Sequence, residues 1–358
     1  MDSMYAYSRL YNFSRNIFLK TGFNEADAET ATTVLLSADL RGVDSHGISR
    51  LTGYVRLCEA GRIDTKSAPA LIHETPSTGV VDGQAGLGLV IAPYAMMIAI
   101  KKAKAVGSGW ISVQNSSHFG IAGIHAMMAL EHDMIGIVMT NASPIVAPTF
   151  SVDKLLGTNP ICVAIPAGEE APFVADFATT TAANGKLELL QRKNQAAPNG
   201  WVQTKTGEAS TDAFELKNGG AMLPLGGDRE HGSHKGYMLG SIVDIFSGVL
   251  SGANYGPFVP PFPAYLPMPT VMPGKGIGHF FGAMRIDGFR PAADFKTDMD
   301  NWIKQFKNAK VVNGFDRVII PGEPEAAMQL ERMRTGIPLY ESVVEELREL
   351  GDKFGLTL

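Results

Sequence analysis

The residues best suited to chemistry lie in Arg41-Gly-Val-Asp-Ser-His-Gly-Ile-Ser-Arg-Leu-Thr-Gly-Tyr54, where an imidazole and a guanidinium stand four apart at His46 and Arg50. Asp44 is a good N-cap and the periodic segment behind it stops at Gly61, so residues 45–60 are expected to form one helix. At about 100° per residue, Ile48, Leu51, Val55 and Cys58 share an apolar stripe, and His46, Arg50 and Tyr54 fall nearly opposite. Side chains at i and i+4 can act on one small ligand. A group that titrates near neutrality beside a carboxylate-binding fork is the chemistry on offer. The plainer alternative is a structural histidine. Against it, His46 lies off the apolar stripe, and Gly47 would let another backbone or a ligand approach.

Three further clusters follow. His118, in Asn115-Ser-Ser-His-Phe-Gly, comes directly after a strand ending at Val113, where ligand groups gather in α/β folds; otherwise it helps Ser116 and Ser117 cap the next helix. Asp176 opens Asp-Phe-Ala-Thr-Thr at another strand end. It could orient an imidazole, and the amides after it could meet a phosphate, but from local sequence an ordinary N-cap is the simpler reading. The run Gly226-Gly-Asp-Arg-Glu-His-Gly-Ser-His-Lys-Gly-Tyr first suggests a metal, through Asp228, Glu230, His231 and His234. It lacks an HExxH spacing and a cysteine partner, so no metal is expected. A glycine-rich loop that ends in Lys235 and opens a helix suits phosphate better. No GxGxxG follows a strand and no GxSxG is present. Ser45 and His46 do not form a triad pair, because adjacent side chains on a helix diverge by about 100°.

The elements that must position these groups fit a folded enzyme. The chain has 358 residues, 45% hydrophobic and 19% charged, enough for two domains and a large core. A net charge of −5 without a Lys/Arg run gives no footprint for nucleic acid or an anionic membrane. Cys58 and Cys162 have neither a CxxC spacing nor a disulfide framework, which fits a reducing cytoplasm. The N-terminus shows no secretory signal. The apolar tract Leu87–Ile100 is shorter than the roughly 20 residues a bilayer needs and reads as a buried helix.

Residues 5–40 read as two helices broken at Thr21-Gly22, the second capped by Asn24. Strands and helices then alternate: a strand at 79–82, a helix at 88–106, a strand from Gly109, a helix near 121–132, strands at 135–140, 161–165 and 173–176, and helices near 180–193 and 235–251. The proline-rich stretch Pro257–Pro273 must be a loop that covers something. A strand returns from Gly278, and 294–309 and 324–358 are helical. Helical ends around a mixed centre suggest that the termini fold together with an α/β section inserted between them.

Six motifs in order resemble the type-2 malate/L-lactate dehydrogenase family, whose members include ureidoglycolate and sulfolactate dehydrogenases, diketogulonate reductase and piperideine-carboxylate reductase. They are Arg41-Gly-Val-Asp-Ser-His-Gly-Ile-Ser-Arg, Ser116-Ser-His-Phe-Gly, Gly157-Thr-Asn-Pro, Asp176-Phe-Ala-Thr-Thr, His234-Lys-Gly-Tyr and Pro321-Gly-Glu. The resemblance implies a dimeric oxidoreductase using NAD or NADP, with a non-Rossmann, mixed-sheet cofactor domain at 76–284, inserted into a helical substrate-side domain of 1–75 plus 285–358. It implies His46 as the proton donor or acceptor and Arg50 as the carboxylate ligand. Ser45 belongs to the same catalytic motif, and Asp176 stands with it. His118 competes with His46; we assign His46 the proton and His118 the polarising role. Cofactor contacts are implied for Asp176, Phe177, Ala178, His234, Lys235, Gly322 and Glu323. Oxaloacetate and malate are the expected substrates, with lactate, ureidoglycolate and cyclic-imine carboxylates as alternatives. None of Arg41, Arg56 and Lys186 can be assigned to a second carboxylate. A metal-assisted hydrolase on Asp228 to His234, and a ligand sensor without turnover, are the rival readings.

Overall fold

Local signals at the chain start are read out directly in the computed structural model, which describes residues 3–358; residues 1 and 2 of the expected N-terminal domain lie outside the described range. After β1 (Ser3–Tyr5), α1 (Tyr7–Thr21) stops where Gly22 turns left-handed at φ +117° and donates to the Leu19 carbonyl. Helix α2 (Glu25–Leu40) begins at Asn24, whose side chain accepts the Asp27 N–H at 2.9 Å. α3 then covers only Leu51–Glu59.

The centre holds β2 (Ala70–Glu74), β3 (Thr78–Asp82), α4 (Gly88–Val106), β4 (Ser108–Ser116), α5 (Ala122–Met127), β5 (Met134–Thr140), β6 (Ile161–Ile165), β7 (Phe173–Phe177) and α6 (Asn184–Arg192). Then come the short strands β8 (Val202–Gln203), β9 (Ala209–Ser210) and β10 (Ala221–Met222), α7 (Ser233–Asp244) and β11 (Ile277–Arg285). Seven of these strands form one sheet in the order β2-β3-β4-β11-β5-β6-β7. Only β3 and β4 run parallel, joined across α4; every other neighbour is antiparallel. This mixed sheet has no parallel dinucleotide core, as the missing glycine fingerprint requires. The returning strand β11 lies in its middle, with Phe281 and Ala283 fully buried against Ala99, Ile111 and Val138.

The expected helix 324–358 is cut at Ile337–Leu339, a short strand held by pairing with Ser3–Tyr5 at the chain start, and two further expected helices are shorter than their patterns. The segment near 121–132 splits into α5 and a 3₁₀ turn at Leu130–His132. Helix α6 starts at Asn184 rather than 180, because Thr181 N–H bonds the Leu223 carbonyl and Thr179 O accepts the Leu225 N–H, holding 179–181 extended. The expected loop Pro257–Pro273 contains no α-helix or strand; a 3₁₀ turn at Gly256–Phe258 overlaps its start, and 259–273 are irregular, as their prolines demand.

The tail adds α8 (Ala292–Lys307), α9 (Glu323–Thr335), β12 (Ile337–Leu339) and α10 (Glu341–Phe354). β12 pairs with β1, and α10 buries Val343, Val344, Leu347 and Leu350 in one core with Leu10, Ile17, Leu35 and Leu51. Chain ends thus share a core distinct from that of the central sheet. α8 instead docks on the turn between β6 and β7, where Asp300 accepts the N–H groups of Gly168, Glu169 and Glu170 at 2.8–3.1 Å. No helix among the described residues is long and apolar enough to cross a membrane.

Candidate active site

The segment carrying His46 and Arg50 is not one helix. Asp44–His46 and Ile48–Arg50 are separate 3₁₀ turns, broken at Gly47 with φ −90° and ψ −145°. Buried Asp39, on α2, causes the break: its carboxylate accepts the Ile48 N–H at 2.7 Å and fills the space beside Gly47. A Cβ on Gly47 would stand 2.1 Å from Asp39 Oδ1. Arg332 of α9 adds a second tether, donating to the Asp39 carbonyl and pairing with Asp44. Gly47 therefore admits a carboxylate, not a ligand.

This break rearranges the side chains. Ser45 Oγ lies 2.9 Å from His46 Nδ1, where a continuous helix would have splayed them apart. Arg50 Nε donates to the Ser45 carbonyl at 2.6 Å, and one terminal nitrogen is 3.8 Å from Glu188 of α6. Tyr54, expected opposite the apolar stripe, is fully buried.

His118 sits just past β4. Its neighbours do not cap the next helix: Ser117 Oγ accepts the Gly88 N–H at the start of α4, and Ser116 Oγ meets His279 Nε2 at 2.8 Å. The imidazoles of His46 and His118 stack, with centroids 5.6 Å apart and planes 25° from parallel. Tyr54 Oη is 2.6 Å from His118 Nδ1, and the Gly120 N–H points at the same nitrogen from 3.3 Å. An N–H can only donate, so Nδ1 is the acceptor and Nε2 carries the ring proton. Burial pushes the Tyr54 phenol well above its ordinary range and keeps it a neutral donor.

Both imidazoles are held neutral. Burial, and then the Arg50 charge, lower His46 to about 4; burial, His46 and Arg50 push His118 well below the usual histidine range. Over them lies Phe262 from the proline-rich loop, 5.0 Å from the His118 ring and 5.3 Å from Tyr54, with the Arg50 guanidinium 5.7 Å from its centroid. The loop does cover something.

Asp176 is not an N-cap. It stands next to the last residue of β7 and accepts the Gly123 N–H, in the first turn of α5, at 2.7 Å. Its side chain touches solvent, yet the surrounding protein raises its pKa to about 6 against the opposing pull of Gly123 and Arg41. Phe177 is exposed beside it, and Ala178 is half-buried. The hydrogen bonds between 179–181 and 223–225 bring the glycine-rich loop alongside this strand end. Gly226, Gly227 and Gly232 all have positive φ there, and Lys235 is exposed on the first turn of α7. His234 Nδ1 accepts from Arg229 at 2.9 Å. Gly322 packs on Val174 of β7, next to the bond from the Val174 N–H to the Pro321 carbonyl. Glu323 resists its own burial through Lys307, at 2.7 Å, and Arg317, which hold it near 2.

The structure thus gathers Ser45, His46, Arg50 and His118 in one cluster and sets His234 and Lys235 on the first turn of α7. Asp228 and His231 pair with each other at 2.6 Å on the surface, and no group of three His, Cys, Asp or Glu that could hold a metal occurs among the described residues. Arg56 faces Glu346, Lys186 is exposed, and Arg41 is buried with Asp176 and Glu325 as its acidic neighbours. Sequence reasoning missed Asp39, Glu188 and Phe262. An acid inside the apolar half of α2 and an aromatic within Pro260-Pro-Phe-Pro263 were the available signals.

Known proteins resemble this chain in sequence and fold. The family model described as malate/L-lactate dehydrogenase matches residues 5–348. Malate dehydrogenase of Pyrococcus horikoshii is 41% identical over 97% of this chain and 94% of its own length. L-sulfolactate dehydrogenase of Methanocaldococcus jannaschii is 35% identical over 96% of this chain and 95% of its own. The crystal structure of malate dehydrogenase from Entamoeba histolytica superposes with a TM-score of 0.93 at 34% identity, covering 100% of this chain and 99% of that one. With a match across almost its whole length, and a mixed rather than parallel sheet beneath its paired imidazoles, the chain belongs to the malate/L-lactate dehydrogenase family.

Proposed function

We propose that this hydroxy acid dehydrogenase interconverts malate and oxaloacetate with NAD or NADP. The observation that carries the reading is the stacked His46–His118 pair beside the Arg50 guanidinium. Arg50, its Nε committed to Ser45, presents its remaining N–H groups to the substrate carboxylate. Neutral His118, with its proton on Nε2, donates a hydrogen bond to the carbonyl oxygen. His46 exchanges the proton with the substrate oxygen, and Ser45 orients its ring. The malate assignment draws on the relatives that bear that name.

The end of β7 suits a dinucleotide in its donor set. An exposed lysine at the N-terminus of the 12-residue α7, with Arg229 and His234 before and beside it, fits phosphate, and the Asp176 carboxylate fits a ribose hydroxyl. Phe177, Ala178 and Gly322 would line it, and Glu323, fixed by Lys307 and Arg317, would hold the 321–323 backbone in place. When bound, the nicotinamide supplies or accepts the hydride at the substrate's second carbon.

We assign the cofactor to residues 76–284 and the helical part to the two termini, in keeping with the two hydrophobic cores. A homodimer accounts for the exposed Met238, Ile242, Ile245 and Val249 on α7 and the turn after it. The free Cys58 and Cys162 suit a reducing cytoplasm.

The test follows loss of reduced-nicotinamide absorbance with NADH and NADPH across pyruvate, oxaloacetate and related 2-oxo acids. Oxaloacetate turnover that falls about 10²-fold or more in His46→Ala, and less in His118→Ala, is expected. The reverse order transfers the proton to His118, and no turnover with any acid overturns the substrate class.

A further inference from the structure

We propose that Phe262 is the specificity-determining wall of this site, closing off a second chamber that would otherwise admit 2-oxo acids with bulky apolar side chains. The inference rests on the reading of the His46–His118–Arg50 cluster as a 2-oxo acid site. One side of Phe262 meets that cluster, as its distances to His118, Tyr54 and Arg50 show. Phe262 also bounds a cavity of about 330 Å³, whose lining includes His118 and Phe262 but not Ser45, His46 or Arg50. His118 and Phe262 together are the partition between the two spaces.

The chamber's chemistry is legible from its walls. Leu57, Ile63, Met268, Met272 and Ile277 line it. Its polar lining is largely committed elsewhere: Asn115 donates to Asp82 at 2.9 Å, Ser116 is bonded to His279 and Ser117 to Gly88. Arg62 donates to the carbonyls of Pro261 and Pro263, and Lys275 is exposed, 3.9 Å from Asp82. What remains is apolar surface around a volume at the lower end of the roughly 300–1,000 Å³ of small-molecule sites. Committed polar groups and free hydrocarbon select an apolar occupant.

Phe262 is built into position. Its N–H donates to Ser143 Oγ at 3.0 Å, prolines precede and follow it, and Arg62 grips the carbonyls on either side. Gly53 makes room for the ring: a Cβ there would stand 2.8 Å from Phe262 Cε1. A substrate with its carboxylate on Arg50 and its carbonyl on His118 has a side chain bounded by the Phe262 ring, which lies against both. Short acids fit in front of that ring, and an aryl group needs the space behind it.

Phe262→Ala, Phe262→Leu and wild type are compared for kcat/KM with oxaloacetate, pyruvate and phenylpyruvate, each with the turned-over cofactor in excess. The ratio of phenylpyruvate to the short acids should rise about tenfold or more in Phe262→Ala, chiefly through KM, and by less in Phe262→Leu. Adding Met268→Trp, which refills the chamber from the opposite wall, should cancel the gain. Calorimetry with the cofactor present should show N-benzyloxamate gaining on oxamate in step. An unchanged ratio, a gain that survives Met268→Trp, or loss of folding in both single variants overturns the proposal. Wild-type protein that reduces none of the acids overturns the underlying site reading instead.

Discussion

At the scale of single residues, the site is a matter of which nitrogen faces where. The Gly120 N–H assigns the His118 proton to Nε2, the atom left free for a substrate, and makes the Tyr54 hydroxyl a donor to Nδ1. Tyr54→Phe removes the shorter of the two hydrogen bonds to Nδ1 while keeping the ring edge-on to Phe262, so kcat should fall about tenfold or more while KM for the 2-oxo acid changes little. Steady-state kinetics on the purified variant check it, and a change confined to KM would show that the phenol serves binding instead. His46, Arg50 and His118 were legible as candidates because their types and flanking residues are local. Tyr54 stood on the same stripe as His46, but its partner, 64 positions away, had no local signature.

Elements explain why those residues meet. Helices α1, α2 and α4 follow their sequence signals closely, since caps, glycine stops and periodicity act over a few residues. The 45–60 helix fails for a non-local reason: the buried Asp39 carboxylate takes the Ile48 N–H and the volume a side chain at 47 would need. Gly47→Ala forces a methyl group into that carboxylate, with no flexible tail to yield. The urea midpoint should correspond to a loss of about 2 kcal/mol or more, with activity falling as Ser45 and His46 are displaced. Equilibrium unfolding and turnover measured together decide it; a stable, active variant would show that Asp39 relaxes freely.

Across the whole molecule, buried imidazoles couple stability to pH. His125 and His279 are fully buried and lowered to about 4 and about 3, mainly by burial. His125 Nε2 donates to the Phe119 carbonyl while Nδ1 has no partner. Because the folded state holds these rings neutral, the unfolded state binds more protons below the ordinary histidine pKa. Their contribution is complete above about pH 6.5 and is lost as the pH falls toward 4, roughly 2 kcal/mol at pH 5 for one such ring. Buried Asp39, raised well above its usual value, opposes this with the opposite sign. Thermal melts should show Tm falling from pH 7 to pH 5, and the fall should shrink in His125→Gln; equal falls in both proteins would show that this ring does not titrate on unfolding. Sedimentation should find a dimer that Met238→Asp and Ile242→Asp together convert to monomer; a monomeric wild-type protein would refute the dimer.

The amino-acid sequence by itself determined the helical ends, the mixed centre, the loop imposed by Pro257–Pro273 and the residue types of the site, because each rests on caps, periodicity or proline geometry within a short window. Only the tertiary structure decided that β11 enters the middle of the sheet, that Asp39 breaks the helix at Gly47, that Asp176 caps nothing on α6 and instead holds α5, and that Phe262 closes over the imidazoles. Those outcomes depend on burial and on hydrogen bonds between groups far apart in the chain, and no local pattern encodes which distant donor or ring will fill a given space.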